Sequence, residues 1–275
     1  MNIESVLEII SQTDSGLARS HNEDSVAQEA SCGLVVLADG MGGYNAGEVA
    51  SGIAVSVVVT EIKQHLLDAS PIQRDENSGE ELGVSLLRDN IRKANASIYQ
   101  AAQSQPQYTG MGTTIVSALF YDNRVVVGHV GDSRVYRLRG ETLEAITRDH
   151  SLLQDQIDSG MISAEEARLS RNKNLVTRAV GIDADVEVEI HVHDVLVGDI
   201  YMLCSDGLND MVEDEDIQST LYAMQGNLPL AVEQLIQMAN DNGGRDNISV
   251  ILVKVKDEFA IRRSWLEKFL NWFRK

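Results

Sequence analysis

The spacing of apolar residues predicts a chain in which groups of strands alternate with pairs of long helices. Short apolar or alternating runs, typical of strands, lie at Gly33–Ala38, Thr113–Tyr121, Arg124–Val130, Arg134–Arg139, Val186–Val192, Asp199–Cys204 and Ile248–Val255. Helical periodicity covers Glu48–Ala69, Leu82–Gln103, Asp214–Met224 and Pro229–Asn240. Because the strands come in consecutive groups, the pattern indicates an α+β fold with helices packed on an antiparallel sandwich, and it argues against a parallel sheet.

Local turn and capping signals separate these elements. Asp122-Asn123 is predicted to form a tight hairpin turn, and Asp39-Gly40 is predicted to form a turn that ends the strand Gly33–Ala38. The polar segment Asp149–Arg171 is predicted to be largely helical, and it contains the candidate capping box Ser163-x-x-Glu166.

Length and composition predict a soluble cytoplasmic protein. The 275 residues suit one large domain or two small ones, and 43% of them are hydrophobic, which is enough for a sizeable core. No run approaches the ~20 apolar residues that a membrane span needs. The N-terminus MNIESVLEII lacks the basic start of a secretory signal. Cys32 and Cys204 match no zinc or redox spacing and are expected in the core.

The formal net charge of −19 argues against nucleic acid as a partner, because most of such a surface repels a polyanion. Solvated carboxylates at the surface explain most of this acidity. A second explanation for part of it is a cluster of carboxylates that binds divalent cations. The positions of the aspartates decide between the two.

Four aspartates stand at the ends of apolar strands, where a rigid scaffold can orient them. Asp39 follows LVVLA, Asp132 follows VVVGHVG, Asp206 follows YMLCS, and Asp246 precedes ISVILV. An ordinary turn explains any one of these sites alone, but four in the same context indicate a shared site. Like charges brought together repel each other, so such a cluster needs a cation.

The all-oxygen donor set suits Mg²⁺ or Mn²⁺. Two such ions about 3.5–4 Å apart form a clamp for displacement at phosphorus, with an activated bridging water as nucleophile. Zinc with Cys or His ligands is not indicated, because no His pair has ligand spacing next to a carboxylate motif. His191 and His193 alternate on one predicted strand and are expected to face solvent.

Eight short motifs match one family in that family's order. They are Thr13-Asp14-x-Gly16-x-x-Arg19-x-x-Asn22-Glu23-Asp24-Ser25, Ala38-Asp39-Gly40-Met41-Gly42-Gly43, Gly112-Thr113-Thr114, Val130-Gly131-Asp132-Ser133-Arg134, Thr147-x-Asp149-His150-Ser151, Thr177-Arg178-Ala179-Val180-Gly181, Ser205-Asp206-Gly207-Leu208 and Gly244-x-Asp246-Asn247-Ile248. Through these motifs, which cover roughly Gln12–Val255, the sequence resembles the metal-dependent Ser/Thr protein phosphatases of the PPM type (type 2C), specifically the compact bacterial ones. The resemblance implies a four-layer αββα sandwich, flanked by helices on both faces, with a small flap subdomain at about 149–175.

The resemblance also implies a role for each matching residue. Asp39 is expected to bridge both ions, and the Gly40 carbonyl to ligate the second ion. Asp24 is expected to join that ion, directly or through water, with Glu23 as a neighbouring alternative for the same role.

The other ligands and the phosphate contact are implied in the same way. Asp206 and Asp246 are expected to hold the first ion, and Asp132 a third, weaker one. Arg19 is expected to bind the phosphate, and a guanidinium fork suits this task because it contacts two phosphoryl oxygens at once. Many eukaryotic members have a histidine, proposed as general acid, where this chain has Met41, so the leaving group here must depart without it.

The implied activity is hydrolysis of phosphoserine and phosphothreonine in proteins, reversing a bacterial Ser/Thr kinase. A phosphatase that acts on a sigma-factor regulator is a weaker alternative, because that branch usually carries a sensor domain, for which this chain has no room. A regulatory or binding module that keeps the fold without activity is the alternative from another class. The presence of all the expected ligands argues against it.

Residues 258–275 are predicted to form a basic amphipathic helix beyond the catalytic domain, residues 1–257. In Ile261–Lys275 (IRRSWLEKFLNWFRK) apolar residues recur at helical spacing beside five basic ones. Such a helix can lie on an anionic membrane surface, here the inner face of the membrane, or in a groove on a partner protein. Folding back onto the acidic domain is an alternative of equal weight.

Overall fold

The computed structural model describes residues 3–43, 46–75, 78–163, 166–167 and 175–261. Its strands are β1 Leu7–Asp14, β2 Asp24–Glu29, β3 Leu34–Met41, β4 Gly112–Thr113, β5 Ile115–Tyr121, β6 Arg124–Val130, β7 Arg134–Arg139, β8 Thr142–Ala145, β9 Glu189–Asp194, β10 Ile200–Cys204 and β11 Ile248–Val255. Its helices are α1 Ala46–Asp68, α2 Leu82–Ser104, α3 Leu152–Asp158, α4 Asp206–Asn209, α5 Asp214–Ala223 and α6 Leu228–Asp241.

The strands form two antiparallel sheets that pack face to face. One sheet has the order β1-β11-β10-β7-β8, and the other has the order β2-β3-β5-β6-β9, with β4 paired to β3. Alternate residues of each strand fill the space between the sheets, among them Leu37, Phe120, Tyr201 and Ile251. This inner core holds the two sheets in the mutual position on which the site at their ends depends.

Two further apolar layers complete the predicted four-layer αββα order. Helices α1 and α2 cover the outer face of the second sheet through residues such as Val58 and Ile91. Helices α5 and α6 cover the outer face of the first sheet through residues such as Leu221 and Leu235. The prediction of an antiparallel sandwich with helices on both faces is confirmed.

Several local predictions hold. Asp122 and Asn123 have positive φ angles of 51° and 55°, as a type I′ hairpin turn requires, and they join β5 to β6. The capping box is also formed: the Ser163 hydroxyl accepts from the Glu166 amide at 3.2 Å, and the Glu166 carboxylate accepts from the Ser163 amide at 2.7 Å.

The prediction of a turn at Asp39-Gly40 is wrong. Strand β3 continues through both residues to Met41, because Gly40 and Met41 pair with Thr113 and Gly112 of β4. Gly40 is needed there for a packing reason: a Cβ at this position would lie 2.2 Å from the carbonyl oxygen of Gly47 in α1.

Strands β1, β2 and β8 were not predicted. Their residues are mostly half-buried or exposed, so the apolar signal that marks a strand is weak there. Strand β9 begins at Glu189 rather than Val186 and extends to Asp194.

The flap segment is tied together at its base. The Leu152 amide donates to the Leu175 carbonyl at 2.9 Å, and the Thr177 amide donates to the His150 carbonyl at 2.8 Å. Ser151 caps α3 by accepting a hydrogen bond from the Gln154 amide. Residues 168–174 of the predicted flap lie outside the described residues.

The chain after β11 remains attached to the sandwich. Glu258–Ile261 is not helical, although the predicted C-terminal helix begins at 258. Phe259 is buried in the inner core, and its amide donates to the Asn123 side chain at 2.6 Å. Residues 262–275, which carry the rest of that prediction, lie outside the described residues. Within the part of the chain that is described, no helix is long and apolar enough to cross a bilayer.

Candidate metal centre

The predicted metal ligands approach one another where the apolar core between the sheets ends. Strand alternation places Asp39 on the inner face of β3, with Val35 and Leu37. Asp24, the first residue of β2, lies directly opposite Asp39 in the antiparallel register. Asp206 begins α4 just after β10, whose neighbour β11 follows closely on Asp246. Two sheets thus contribute carboxylates to one cluster.

Asp39 lies buried among the other carboxylates of the cluster. Burial raises the pKa of its carboxyl well above the usual value, and the negative charges of Asp24, Asp206, Asp132 and Asp246 raise it further, in that order of size. Carboxylates that cannot all ionise together in the free protein are stabilised in their charged form by a cation.

Asp24 shows directly what kind of ligand this cluster fits. One carboxylate oxygen, Oδ2, accepts from the Ser205 hydroxyl at 2.8 Å, which joins the two sheets. The other oxygen, Oδ1, is buried and has no hydrogen-bond partner among the described residues. Burial raises the pKa of Asp24 to about 6, against hydrogen bonds from Ser249 and Ser205 that lower it. A buried carboxylate oxygen without a donor is a suitable ligand for Mg²⁺ or Mn²⁺.

Asp206 and Asp132 form the other side of the cluster. Burial raises the pKa of Asp206 well above the usual value, and the charges of Asp132, Asp210 and Asp246 add to the shift. Burial also raises the pKa of Asp132 to about 6, with Asp149 as the next largest cause.

Asp210 also acts on this cluster, although it was not among the predicted ligands. Its negative charge acts on both Asp206 and Asp132. Its amide donates to the Asp206 carbonyl at 2.8 Å, at the end of α4. The signal in the sequence that could have identified Asp210 is its spacing of four residues from Asp206, which puts the two residues on one helix face.

Arg19 lies at the exposed rim of the cluster. Its Nη2 atom donates to Oδ2 of Asp246 at 2.7 Å, and half of its side chain is exposed. The other oxygen of Asp246, Oδ1, accepts from the Asn247 amide at 2.9 Å. The Asn247 side chain in turn bonds backbone groups of Ser15, His21 and Glu23. Asn247 therefore ties the loop that carries Arg19 to the cluster.

Gly40 and Glu23 lie beside the cluster on the side of α1. The Gly40 amide donates to the Glu23 carbonyl at 3.2 Å, and the Gly40 carbonyl faces the first turn of α1 at Gly47. The Glu23 carboxylate lies 3.4 Å from Nε2 of His21.

Comparison with known proteins identifies the fold and the family. The family model described as protein phosphatase 2C matches residues 17–252. The chain belongs to the protein phosphatase 2C family. The prediction of a bacterial PPM-type Ser/Thr phosphatase is thereby confirmed, and it is supported over the alternative of an inactive binding module.

Similar members of this phosphatase family come from several bacteria. The serine/threonine phosphatase stp of Listeria welshimeri is 38% identical over 248 residues, which are 88% of this chain and 94% of that protein. The crystal structure of PstP from Mycobacterium tuberculosis has a TM-score of 0.82 and 37% identity, covering 92% of this chain and 100% of that one. A PstP catalytic domain in complex with two manganese ions has a TM-score of 0.77 and 36% identity, covering 92% and 99%.

The phosphatase should gain more stability from Mn²⁺ at about pH 7.5 than at about pH 5. The folded-state pKa values of Asp24 and Asp132 are about 6, above the ~3.9 of a free aspartate. Without metal, the cluster's contribution to the free energy of unfolding should therefore fall as pH rises through this window. Mn²⁺ binds the deprotonated carboxylates and reverses the effect. Melting temperatures with and without Mn²⁺ at both pH values test this.

Two substitutions control this measurement. Asp39→Asn should lose most of the Mn²⁺-dependent increase in melting temperature. Asp89→Asn, at an exposed position of α2, should keep it. Equal increases at the two pH values would contradict the assignment of the raised pKa values to the metal ligands.

Proposed function

We propose that the protein hydrolyses phosphoserine and phosphothreonine esters in proteins with the help of two Mg²⁺ or Mn²⁺ ions. The observation that carries the proposal is the buried, unpartnered Oδ1 of Asp24 inside a cluster of mutually repelling carboxylates. Family membership and the two manganese ions of the PstP relative support it. Phosphate release from phosphothreonine and phosphoserine peptides should require Mn²⁺ or Mg²⁺ and stop in EDTA.

The carboxylates divide into two groups around the ions. Asp39 would contribute its carboxylate to both ions. Asp206 and Asp246 would hold the first ion, while Asp24 and the Gly40 carbonyl would hold the second. When bound, the ions supply Lewis-acid activation of water and neutralise the charge of the phosphate. The chain's own residues keep the ions at a fixed separation, because the inner core and the Ser205–Asp24 hydrogen bond lock the two sheets together.

Asp132 provides a further, weaker ion site at the edge of the cluster. Its carboxylate is nearly buried and lies in the negative field of Asp149 and Asp210. Asp149 is itself held by two hydrogen bonds from the Arg134 guanidinium, at 2.8 and 2.7 Å. Because Arg134 neutralises Asp149, Asp132 is the carboxylate that would hold a cation there.

Arg19 binds the phosphate of the substrate. A guanidinium has five N–H donors, and the hydrogen bond to Asp246 involves Nη2. Exposure at the rim allows the remaining donors to meet phosphoryl oxygens as the substrate enters. The hydrogen bond to Asp246 holds the guanidinium beside the carboxylates, where it would meet the phosphate.

The flap controls access beside the metal centre. A cavity of about 560 Å³ lies between α3 and the segment from Asn209 to Asp214. Leu153 and Ile157 line it from the flap, and Asp149 and Asp210 line it from the cluster side. Because this cavity adjoins the carboxylates near Asp132, it is suited to residues flanking the phosphorylated side chain.

The physiological partners are phosphorylated proteins of a bacterial Ser/Thr kinase system. The bacterial relatives named as serine/threonine phosphatases support this class of substrate. The basic C-terminal residues would dock the enzyme on an anionic membrane surface or on a partner protein, because a sequence with both tryptophans and five cations suits either target.

Asp39→Asn should lower kcat by about 10²–10³-fold, more than Asp206→Asn or Asp246→Asn, because one carboxylate serves two ions. Turnover of a phosphothreonine peptide at saturating Mn²⁺ measures the loss. Asp89→Asn is the matched control and should keep normal turnover. Near-normal turnover of Asp39→Asn with its ions bound would show that Asp39 is not the bridging ligand.

Arg19→Ala should raise KM for the phosphopeptide by about 10–100-fold, the equivalent of a charged hydrogen bond, while Mn²⁺ affinity is kept. The affinity for Mn²⁺ should not fall, because the substitution removes a positive charge from beside Asp246 and leaves the carboxylate in place. Calorimetry with Mn²⁺ and steady-state kinetics separate the two effects. Arg92→Ala, with similar exposure on α2, should change neither, and loss of Mn²⁺ binding in Arg19→Ala would indicate a structural role.

Removal of residues 262–275 should abolish binding to anionic vesicles and leave turnover of a small phosphopeptide unchanged. Cosedimentation with phosphatidylglycerol-containing vesicles compares the full chain with a chain ending at Ile261, which keeps the buried Phe259. Equal sedimentation of both forms would refute the membrane role and leave a partner protein or the enzyme's own surface as the target.

A further inference from the structure

Four histidines stack at the edge of the sandwich, outside the aspartate cluster. Successive ring centroids are 4.6 Å apart for His150 and His129, 5.7 Å for His129 and His191, and 6.2 Å for His191 and His193. The expectation that His191 and His193 face solvent is wrong: Val192 between them is exposed, while both imidazoles turn toward the inner face of the sheet. Antiparallel pairing of β6 with β9 places Glu189 opposite His129.

His129 presents a free lone pair in a buried position. Its ring is fully buried, and Nε2 lies 2.9 Å from the Arg148 carbonyl, which can only accept. Nε2 therefore carries the proton, and Nδ1 is left as an acceptor. Nδ1 has no hydrogen-bond partner among the described residues. Burial lowers the pKa of His129 to about 4, so the ring is neutral at physiological pH.

Glu189 and His191 direct two more donor atoms to the same place. Nε2 of His191 is buried and lies 3.0 Å from Oε1 of Glu189, at an angle that does not form a hydrogen bond. Two ligands of one tetrahedral zinc ion lie about 3.3 Å apart, given bonds of about 2.0–2.1 Å. Burial raises the pKa of Glu189, but the hydrogen bond from His150 is the largest effect that lowers it, and the net shift is downward, so the carboxylate is charged.

We propose that His129, Glu189 and His191 form a second metal site that binds Zn²⁺, separate from the aspartate cluster. One donor atom from each residue lies within 4.8 Å of the other two. Binding would draw these atoms together by at most about 1.5 Å, toward the ligand separation of a tetrahedral site. Water takes the fourth position.

The surroundings of the three residues match a zinc site rather than a magnesium site. Imidazole nitrogens suit zinc, whereas Mg²⁺ prefers oxygen ligands. Two of the three potential ligands also have an outer partner that fixes their orientation, a common feature of zinc sites. His129 donates to the Arg148 carbonyl, and Glu189 is 3.1 Å from Nε2 of His150. Ions can enter from the open edge of β9, where about a third of the Glu189 and His191 side chains is exposed.

Zinc at this position would brace the base of the flap. It would link β6 to the edge strand β9, and Glu189 would transmit the link to His150. His150 accepts from the Gly131 amide at 3.2 Å, directly before Asp132, and its carbonyl accepts from the amide of Thr177 at the far end of the flap.

Titration of the full chain with Co²⁺ in excess Mg²⁺ tests the site. The Mg²⁺ occupies the oxygen ligands of the aspartate cluster. Cobalt in a four- or five-coordinate site with nitrogen ligands absorbs visible light strongly. One equivalent of Co²⁺ should give this absorption, and one equivalent of Zn²⁺ should remove it. His191→Ala and the isosteric Glu189→Gln should each weaken Co²⁺ binding by at least about 10–100-fold, because even an outer partner of a ligand contributes that much.

Two controls separate this site from the phosphatase centre. His193→Ala, on the same strand and face, should keep the absorption, as should Asp39→Asn, which disables the aspartate cluster. Thermal melting confirms that each variant is folded. If His191→Ala does not fold, Glu189→Gln still tests the site. Absence of the absorption in the wild type, its persistence in Glu189→Gln, or its loss in Asp39→Asn would each overturn the proposal.

Discussion

Mutual repulsion between buried carboxylates is the constraint on which the phosphatase site depends. Burial raises the pKa values of Asp24, Asp39, Asp206 and Asp132, and the negative charges of neighbouring aspartates raise each of them further. A cluster of this kind destabilises the empty protein at neutral pH, so the fold must supply the compensating stability elsewhere. The apolar layers on both sides of each sheet do so, because they extend to the last residues before the aspartates.

The sandwich also explains why these carboxylates meet although they are far apart in sequence. Antiparallel register sets Asp24 beside Asp39 on one sheet, and the adjacent strands β10 and β11 bring Asp206 and Asp246 together on the other. The Ser205 hydroxyl then bonds Asp24 across the gap. A register shift of one residue in β2 or β3 would turn Asp24 or Asp39 to the helix-covered face, so the carboxylate cluster requires the pairing of the whole sheet.

The sequence predicted the parts of this molecule that local patterns encode. The long helices, the hairpin at Asp122-Asn123 and the aspartates after apolar runs all have signals within a few residues. Motif order then identified the family. The continuation of β3 through Asp39 was not predicted, because it depends on pairing with β4, more than 70 residues away. Strands β1, β2 and β8 were also not predicted, because residues that are half-buried or exposed do not form an apolar pattern in the sequence.

The histidine cluster illustrates the same limit from the side of chemistry. Glu189 and His191 have the alternate spacing of an ordinary exposed strand face, and His129 stands 60 residues earlier in an apolar run. Only the pairing of β6 with β9 makes them neighbours.

The donor atoms of the two centres differ in kind. The first centre has carboxylate oxygens at the ends of the sheets, and the second has two imidazoles and one carboxylate at the edge of a sheet. Zinc binds most ligand sets more tightly than Mg²⁺ or Mn²⁺ does, so selectivity must come from ligand type and metal supply. Abundant Mg²⁺ competes well for an all-oxygen cluster but poorly for imidazole. Because the two donor sets are separate on one sandwich, one chain would be able to hold Mg²⁺ or Mn²⁺ for phosphate chemistry and Zn²⁺ to brace the flap. Neither ion would displace the other from its site.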